Sequence, residues 1–181
     1  MSIDDEIKLK IILLGNGSVG KTSLSNRYTV DRFSSTYKPS LGVDFMVKRE
    51  NYEGRKIKIM VFDTAGQEYI STLRKRYYTG AHGAVIVYDI TSRKSFEDLD
   101  KWVSEVKGEV GDIKTVFVGN KIDLDDRQVS TEEAKAYAEK NHGLYFESSA
   151  KFGDGVRDIF VPFMDEILNK INEKNKAQSI E

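Results

Sequence analysis

Runs of apolar residues alternate along the chain with segments whose apolar positions recur every three or four residues. This alternation is typical of an α/β fold in which helices cover both faces of a mostly parallel sheet. Most of the apolar runs are rich in leucine and β-branched residues, as expected for strands that are buried on both faces. The predicted strands span residues 9–14, 43–50, 56–62, 84–89, 115–119 and 144–147.

The second and third predicted strands differ from the others because polar and apolar residues alternate along them. They are joined by the short segment 51–55, which contains Gly54. A short connection of this kind favours an antiparallel hairpin. We therefore predict a six-stranded, mostly parallel sheet with one antiparallel strand at its edge.

In the second half of the chain, apolar residues at helical spacing form two stripes between and after the predicted strands, which predicts amphipathic helices there. Ser130 followed by Glu133 is a capping-box pattern that opens one helix, and Gly143 is predicted to end it. Pro162 lies inside the last stripe and should kink that helix or delay its start. From Asn172 the chain is polar, and we expect it to fray. The two stripes consist of Phe96, Leu99, Val103, Val106 and Val110, and of Val156, Ile159, Phe160, Phe163, Ile167 and Ile171.

Composition and charge exclude several functional classes. A chain of 181 residues suits a single domain with its own core. The absence of cysteine excludes disulfides, thiolate metal sites, thiol catalysis and sulfur-linked lipids. A net charge of −1 gives no electrostatic case for nucleic-acid binding. The acidic start does not resemble a secretory signal, and no apolar run approaches the roughly 20 residues of a membrane helix. We expect a soluble, cytoplasmic protein.

The first predicted strand runs into a glycine-rich segment that matches the phosphate-loop pattern G-x-x-x-x-G-K-[ST]. Small residues let backbone N–H groups point at phosphate oxygens, and the following helix adds its positive end. Lys21 can neutralise the β- and γ-phosphates, and the Thr22 hydroxyl can ligate Mg²⁺. The alternative is a plain glycine turn, but the segment has the required strand–loop–helix context. It reads Gly15-Asn16-Gly17-Ser18-Val19-Gly20-Lys21-Thr22.

Two further loops indicate that the base is guanine. The fifth predicted strand ends in Asn120-Lys121-Ile122-Asp123, an N-K-x-D element. The Asp123 carboxylate can accept hydrogen bonds from guanine N1–H and its amino group, a donor pair that adenine lacks. The sixth strand ends in Ser148-Ser149-Ala150-Lys151, where a backbone N–H near Ala150 can donate to guanine O6. Taken alone, N-K-I-D is equally consistent with a simple turn after a strand. However, the carboxyl ends of parallel strands meet in one crevice, so these loops and the phosphate loop are predicted to face the same site.

A third loop, Asp63-Thr64-Ala65-Gly66-Gln67-Glu68, follows the third predicted strand. Asp63 suits the second carboxylate that phosphate-loop enzymes hold near Mg²⁺. The Gly66 N–H can approach a γ-phosphate, and Gln67 can orient a water for attack. Isolated Asp and Gln residues in loops are usually solvated surface residues. Asp63 and Gln67 are candidate site residues only because of their position relative to the phosphate loop.

With these motifs in order, residues 8–168 resemble the Ras superfamily and are most similar to Rab-type GTPases. The Rab likeness is carried by the sequences LGVDF at 41–45, Tyr77-Tyr78 before Gly80-Ala81, and Tyr88-Asp89-Ile90-Thr91. The resemblance implies a small G protein fold with five helices flanking the sheet. It divides the chain into an extension (1–7), a GTPase domain (8–171) and a polar tail (172–181).

The resemblance implies a switch that binds GTP and GDP with Mg²⁺ and hydrolyses GTP slowly alone and faster with an activating protein. Phe33 would pack against the guanine edge, Lys121 would lie along the base and Tyr37 would cover the phosphates. The implied catalytic residues are Gln67, Gly66 and Lys21, and the implied Mg²⁺ ligands are Thr22, Ser40 and, through water, Asp63. The implied nucleotide-binding residues are Gly15, Gly17, Ser18, Val19, Gly20, Lys21, Thr22, Ser23, Phe33, Tyr37, Ser40, Asp63, Gly66, Asn120, Lys121, Asp123, Ser149, Ala150 and Lys151.

The resemblance also implies partners. Exchange factors, activating proteins and effectors would bind a monomer through switch regions 33–45 and 63–78, with effectors reading Phe45, Phe62 and Tyr77. Plain core packing is the alternative for these aromatics. Two residues depart from the family pattern: Phe62 replaces the usual tryptophan, and Ser40 replaces the usual threonine. Because serine lacks β-branching, we expect the first switch to close less completely over GTP.

Rab proteins normally end in prenylated cysteines, and this sequence has none. Either the chain has been shortened or the protein works without a lipid anchor, so we expect membrane attachment only with a lipidated tail. A role in vesicle trafficking or signalling is implied. Two alternatives remain: a GTP-binding scaffold with negligible hydrolysis, and an ATP-using phosphate-loop enzyme. The second would not need N-K-x-D and usually carries an arginine-rich lid, which this sequence lacks.

Overall fold

The computed structural model of the protein describes residues 6–34, 43–64 and 75–178. Within them the chain forms one six-stranded sheet in the order β2-β3-β1-β4-β5-β6. The expected strands are all present, and their ends differ from the predicted ends by two residues at most. The strands are β1 (Ile7–Leu14), β2 (Val43–Tyr52), β3 (Arg55–Thr64), β4 (Gly83–Asp89), β5 (Lys114–Asn120) and β6 (Leu144–Ser148).

The predicted topology is confirmed. β1 pairs in parallel with β3 and β4, and β4–β5 and β5–β6 are also parallel. β2 pairs antiparallel with β3, from Val43 opposite Thr64 to Tyr52 opposite Arg55. The strands are joined by Glu53 and Gly54, whose φ angles of 47° and 74° match the twist of a two-residue hairpin turn. β2 therefore forms the antiparallel edge, as the pattern predicted.

Five helices accompany the sheet in the described part of the chain. They are α1 (Lys21–Val30), α2 (Arg93–Glu97), α3 (Leu99–Val110), α4 (Thr131–Lys140) and α5 (Val161–Gln178). Among the helices of the described ranges, none has the length and apolar character needed to cross a membrane.

Two hydrophobic clusters lie on opposite faces of the sheet because successive side chains of a strand point to opposite sides. Along β1, Leu9, Ile11 and Leu13 pack with residues of α1 and α5, including Leu24 and Phe163. Ile12 and Leu14 pack on the other face with residues of α2, α3 and α4, including the fully buried Trp102. Burial on both faces explains the nearly continuous apolar runs of the inner strands.

The stripe predicted over residues 96–110 faces the core, with Val103 and Val110 only partly buried, but it belongs to two helices. Ser92 caps α2 by accepting a hydrogen bond from the Ser95 N–H. Asp98, which has φ −77° and ψ 0°, lies between the two helices as the C-cap of α2 and the N-cap of α3. Periodicity alone does not reveal this break, because the apolar spacing continues across it.

The predicted boundaries of α4 are confirmed at its start and corrected at its end. The Ser130 hydroxyl accepts from the Glu133 N–H at 3.1 Å, but the Glu133 carboxylate binds Arg93 instead of completing the capping box. The left-handed residue after the helix is His142, with φ 55°, and not Gly143. Gly143 is needed for a different reason, since a Cβ there would lie 2.5 Å from the Phe117 ring.

The last stripe is also divided. The helix starts only at Val161, so the expected delay at Pro162 is confirmed, and the buried residues Val156, Ile159 and Phe160 lie in turns before it. The helix extends to Gln178, beyond Asn172, from which we expected the chain to fray. Extending an established helix fixes one residue for each new hydrogen bond, so a polar but helix-compatible sequence suffices.

Candidate functional site

The phosphate loop connects β1 to α1 at the carboxyl end of the sheet, as the sequence predicted. Gly15 has φ 136°, and a Cβ there would lie 2.1 Å from the Val87 carbonyl oxygen. Gly20 has φ 99°, and its Cβ would lie 2.3 Å from the Asn120 side-chain nitrogen. Both positions therefore exclude any other residue on conformational and steric grounds. Gly17 and Ser18 are exposed on the loop, and Val19 is buried beneath it.

Lys21, at the start of α1, folds back across this loop. Its Nζ donates to the carbonyl oxygens of Gly15 at 2.8 Å and Asn16 at 2.7 Å, and the residue is only 6% exposed. The ammonium is thereby held against the phosphate loop, whose glycine-rich backbone is of the type that binds anions through its N–H groups. Ser23 lies in the first turn of α1, at the positive end of the helix.

Asp63 at the end of β3 and Thr22 at the start of α1 form the candidate metal site. The Thr22 hydroxyl donates to Asp63 Oδ2 at 2.5 Å. Burial raises the pKa of Asp63 to about 6, although the Thr22 hydrogen bond and the Lys21 charge both lower it. Asp63 Oδ1 is buried and has no hydrogen-bond partner in the described part of the chain.

This orphaned oxygen tests whether the residues suit Mg²⁺. A buried carboxylate oxygen without a partner is costly unless a further ligand satisfies it. A carboxylate beside a hydroxyl is also the oxygen donor set that Mg²⁺ takes when phosphates and waters complete its shell. Thr22 and Asp63 therefore fit the predicted ion. The third predicted ligand, Ser40, lies outside the described residues.

Asn120 at the end of β5 joins three loops. Its Nδ2 donates to the Val19 carbonyl at 2.9 Å. Its Oδ1 accepts from the Ser148 hydroxyl at 3.1 Å and from the Ala150 N–H at 3.3 Å. The residue is 1% exposed, so these bonds are shielded from water. The phosphate loop and the two predicted guanine loops thus share one side chain.

The other guanine-loop residues also lie together. Asp123 Oδ1 accepts from the Ser149 hydroxyl at 2.7 Å, which ties the N-K-x-D element to the S-S-A-K element. Lys121 has φ 71°, and its Nζ lies 2.5 Å from Asp89 Oδ2. Asp89 in turn accepts from the Thr91 N–H and hydroxyl. The ion pair fixes the Lys121 ammonium beside the carboxyl end of β4.

Two supporting residues escape sequence reasoning. Asn16 accepts from the Trp102 indole N–H at 2.9 Å and donates to Asp98 at 2.7 Å, so α3 supports the phosphate loop. Arg27 of α1 donates to the backbone carbonyls of the S-S-A-K loop. These partners are 82 to 124 residues apart in sequence, so no local pattern could have identified them.

The remaining predicted site residues fall into two groups. Phe33 follows α1 and is 39% exposed. Tyr37, Gly66 and Gln67 lie, like Ser40, outside the residues that the structure describes. Their roles therefore remain predictions.

The three aromatics of the predicted effector surface are neighbours. The ring centroids of Phe45 and Phe62 are 5.0 Å apart, and those of Phe62 and Tyr77 are 6.0 Å apart. Phe45 is 54% exposed and Tyr77 is 38% exposed, which argues against plain core packing for these two. The Lys10 ammonium lies 4.6 Å from the Phe62 ring centroid and so covers the middle ring.

Comparisons with known proteins find similar sequences that cover most of the chain. Residues 10–169 match the Ras family. The chain is 42% identical over 162 residues to Ras-related protein Rab-18 of Lymnaea stagnalis, spanning 88% of this chain and 80% of that protein. It is 40% identical to Ras-related protein Rab-12 of Mus musculus, spanning 92% and 70% of the two chains. It is 41% identical to Ras-related protein Rab-18-B of Danio rerio, spanning 92% and 83%.

Proposed function

The chain belongs to the Ras family and is a small GTPase similar to the Rab proteins; on this premise we propose that it is a Mg²⁺-dependent switch that binds GTP and GDP and hydrolyses GTP. The observation that carries the proposal is the Asn120 side chain, which bonds to the phosphate loop and to the S-S-A-K loop. A cradle for phosphates and a cradle for a base are thereby joined at one end of the sheet. This is the crevice in which open α/β sheets bind ligands.

At the phosphate end, the loop N–H groups and Lys21 bind and neutralise the β- and γ-phosphates. Mg²⁺, when bound, would supply positive charge that stabilises the transferring phosphate. Thr22, Ser40 and Asp63 would hold it. Gln67 orients a water in line with the γ-phosphate, and the Gly66 N–H donates to that phosphate. Loss of the γ-phosphate then releases the switch regions 33–45 and 63–78 from their GTP-bound arrangement.

At the base end, Asp123 accepts from guanine N1–H and the amino group. Ser149 holds that carboxylate through the 2.7 Å hydrogen bond. An adenine nucleotide would leave the partly buried Asp123 carboxylate without these donors, which costs about 1–3 kcal/mol or more. The site therefore favours GTP and GDP over ATP, against the alternative of an ATP-using enzyme.

Hydrolysis without a partner should be slow. Ras turns over at about 10⁻⁴ s⁻¹ alone and about 10⁵-fold faster when a partner supplies an arginine. That factor corresponds to about 7 kcal/mol of activation free energy. The segment before Ser40 reads Tyr37-Lys38-Pro39 and has no arginine to supply this stabilisation. The proposal therefore includes an activating protein, an exchange factor and effectors, with Phe45, Phe62 and Tyr77 forming the effector surface.

The proposed setting is membrane traffic, as for a Rab-like GTPase. The protein would act in the cytoplasm, and at a membrane surface when a lipidated tail is present. The effector surface differs from that of most Rab proteins at Phe62. The partner read by this surface is therefore one that accepts a phenyl ring between Phe45 and Tyr77.

Identification of the nucleotide that co-purifies with the protein tests the proposal. Mass spectrometry of the ligand released by denaturation should find mostly GDP. Fluorescent GDP on the protein should be displaced by excess GDP and not by ATP. Release of one equivalent of phosphate after loading with GTP separates a GTPase from a scaffold. The proposal would be contradicted if no guanine nucleotide co-purified with the protein, or if ATP displaced fluorescent GDP as well as GDP does.

A further inference from the structure

Arg27 connects α1 to the S-S-A-K loop through its whole guanidinium group. Its Nε donates to the Ala150 carbonyl at 3.0 Å, and its Nη2 donates to the Lys151 carbonyl at 2.7 Å. Its Nη1 donates to the Asp31 carboxylate at 2.8 Å. The Arg27 side chain is 19% exposed, whereas that of Asp31 is 88% exposed. The contact with the Ala150 carbonyl is partly buried, the contact with the Lys151 carbonyl lies at the surface, and the exposed ion pair with Asp31 contributes little.

These contacts orient two consecutive peptide planes. In a trans peptide the C=O of one residue and the N–H of the next point in opposite directions. With the Ala150 carbonyl directed at Arg27, the Lys151 N–H points away from α1. With the Lys151 carbonyl directed at Arg27, the Phe152 N–H also points away, and it donates to the Ser149 hydroxyl at 3.1 Å.

The same loop is also held by Asn120, the last residue of β5, and by Asp123, which follows β5. Asn120 Oδ1 accepts the Ala150 N–H at 3.3 Å, and Asp123 accepts the Ser149 hydroxyl at 2.7 Å. The Ala150 N–H is already directed at Asn120. The next backbone donor along the loop is the Lys151 N–H, which the contact between Arg27 and the Ala150 carbonyl turns away from α1.

We propose that Arg27 is a positioning residue for guanine recognition, which holds the S-S-A-K loop so that the Lys151 N–H donates to the 6-oxygen of the base and slows nucleotide release. This inference rests on the proposed function and deepens it by naming the residue that sets the geometry of one base contact. Arg27 itself does not touch the base in this account. Its effect passes through the backbone of Ala150 and Lys151.

Arginine is suited to this task and lysine is not. A guanidinium is planar and holds Nε and Nη2 at a fixed separation that matches the two carbonyls, whereas an ammonium carries its three donors on one rotatable nitrogen and does not reproduce that spacing. Arg27→Lys therefore keeps the charge and most of the aliphatic stem but loses the paired contact. Arg27→Gln removes the charge and can bind only one carbonyl.

The test uses the full chain loaded with fluorescent GDP in the presence of Mg²⁺, chased with excess GDP. Arg27→Lys and Arg27→Gln should both release the nucleotide roughly tenfold faster, as expected when one hydrogen bond is weakened. Asp31→Asn removes only the exposed ion pair of Arg27 and should release at the parent rate. Arg49→Lys in the edge strand β2, which weakens an exposed ion pair between Arg49 and Glu6, serves as the matched arginine control.

The preference of each variant for different bases shows whether Arg27 positions the contact with the 6-oxygen or only stabilises the whole nucleotide site. 6-Thio-GDP replaces the 6-oxygen with a weaker acceptor, and IDP lacks the amino group that Asp123 is proposed to read. In the Arg27 variants the preference for GDP over 6-thio-GDP should fall several-fold, while the preference for GDP over IDP stays at the parent value. Thermal unfolding of each variant with saturating GDP shows whether it is folded.

The outcomes are distinguishable. Parent release rates in both folded variants would overturn the inference, and so would faster release with an unchanged preference for GDP over 6-thio-GDP. If Arg27→Lys does not fold, the same criteria apply to Arg27→Gln. A parent protein that binds neither GDP nor 6-thio-GDP would instead overturn the proposed function.

Discussion

The Asn120 amide and the Val19 carbonyl are joined by a buried hydrogen bond of 2.9 Å, although 101 residues separate them in sequence. Val19 belongs to the phosphate loop, and Asn120 follows β5. The bond explains why Gly20 is required beside it, since a Cβ would lie 2.3 Å from the same Asn120 nitrogen. The loop predicted to bind the phosphates and the loop predicted to bind the base are therefore connected by this hydrogen bond and are not independent of each other.

Removing this connection should weaken both folding and nucleotide retention. Asn120→Ala leaves the buried Ser148 hydroxyl and Ala150 N–H without their acceptor. We expect a loss of about 3 kcal/mol in the free energy of unfolding and at least roughly tenfold faster GDP release. Denaturant unfolding and release of fluorescent GDP measure the two effects.

Asn141→Ala is the matched control for Asn120→Ala. The Asn141 amide donates to the Tyr137 carbonyl at 3.0 Å at the end of α4. It should lose about 1 kcal/mol of stability and release GDP at the parent rate. Equal release rates for the two variants would mean that the Asn120 bonds do not support the nucleotide.

The glycines of the phosphate loop should differ sharply in their tolerance to substitution. Gly15→Ala places a Cβ 2.1 Å from the Val87 carbonyl oxygen at a φ of 136°, so we expect a loss of about 3 kcal/mol. Gly17→Ala finds no atom within 4 Å and should change the free energy of unfolding by less than about 0.5 kcal/mol. Urea unfolding of both variants checks the contrast, and a Gly15→Ala protein as stable as Gly17→Ala would contradict it.

The features that depend on local sequence patterns could be predicted from the sequence, whereas those that depend on contacts between distant residues could not. The order of strands, the hairpin at Gly54 and the phosphate loop follow from hydrophobic periodicity and glycine placement. The division of residues 93–110 at Asp98 was missed because the apolar spacing runs through it. The support of the loops by Arg27 and by Trp102 was missed because polar side chains carry no periodicity that points to a distant carbonyl or amide.

The guanine end of the sheet also carries a pH-sensitive contact. Glu147 in β6 accepts hydrogen bonds from Arg127, Thr131 and Tyr145 at 2.9, 2.8 and 2.8 Å. Burial alone would raise the pKa of Glu147, but these hydrogen bonds outweigh it and hold the pKa below its usual value of 4.5. A lowered pKa in the folded state contributes stability above pH 4.5 that is lost as the pH falls through the folded-state value.

Glu147→Gln should therefore be less stable than the parent by about 1–2 kcal/mol at pH 7, after allowance for the partial exposure of this group. The difference should shrink as the pH is lowered from 5 towards 3. Chemical unfolding across this range measures it. Glu97→Gln, which changes a more exposed ion pair with Arg93, should show little difference at any pH. A constant penalty for Glu147→Gln would refute the electrostatic explanation.

The serine at position 40 should loosen the first switch in the GTP state. Serine keeps the hydroxyl that Mg²⁺ requires but lacks the χ1 restriction of threonine. We therefore expect the open conformer to be populated alongside the closed one. Phosphorus NMR of the complex with a non-hydrolysable GTP analogue should show two γ-phosphate signals, and Ser40→Thr should shift them towards one. A single closed-state signal that is the same in both proteins would rule this out.

Gln67 should be required for hydrolysis and not for binding. Its proposed task is to orient the attacking water, a contribution that arises in the transition state rather than in the bound ground state. Gln67→Leu keeps much of the bulk of the side chain but removes its hydrogen-bonding amide, so single-turnover phosphate release should slow by roughly tenfold or more. GTP affinity should stay within about twofold of the parent, because the phosphate cradle of Lys21 and the base contact of Asp123 are unchanged. Hydrolysis at the parent rate would remove Gln67 from its proposed role, whereas a parallel loss of affinity would mean that it contributes to binding instead.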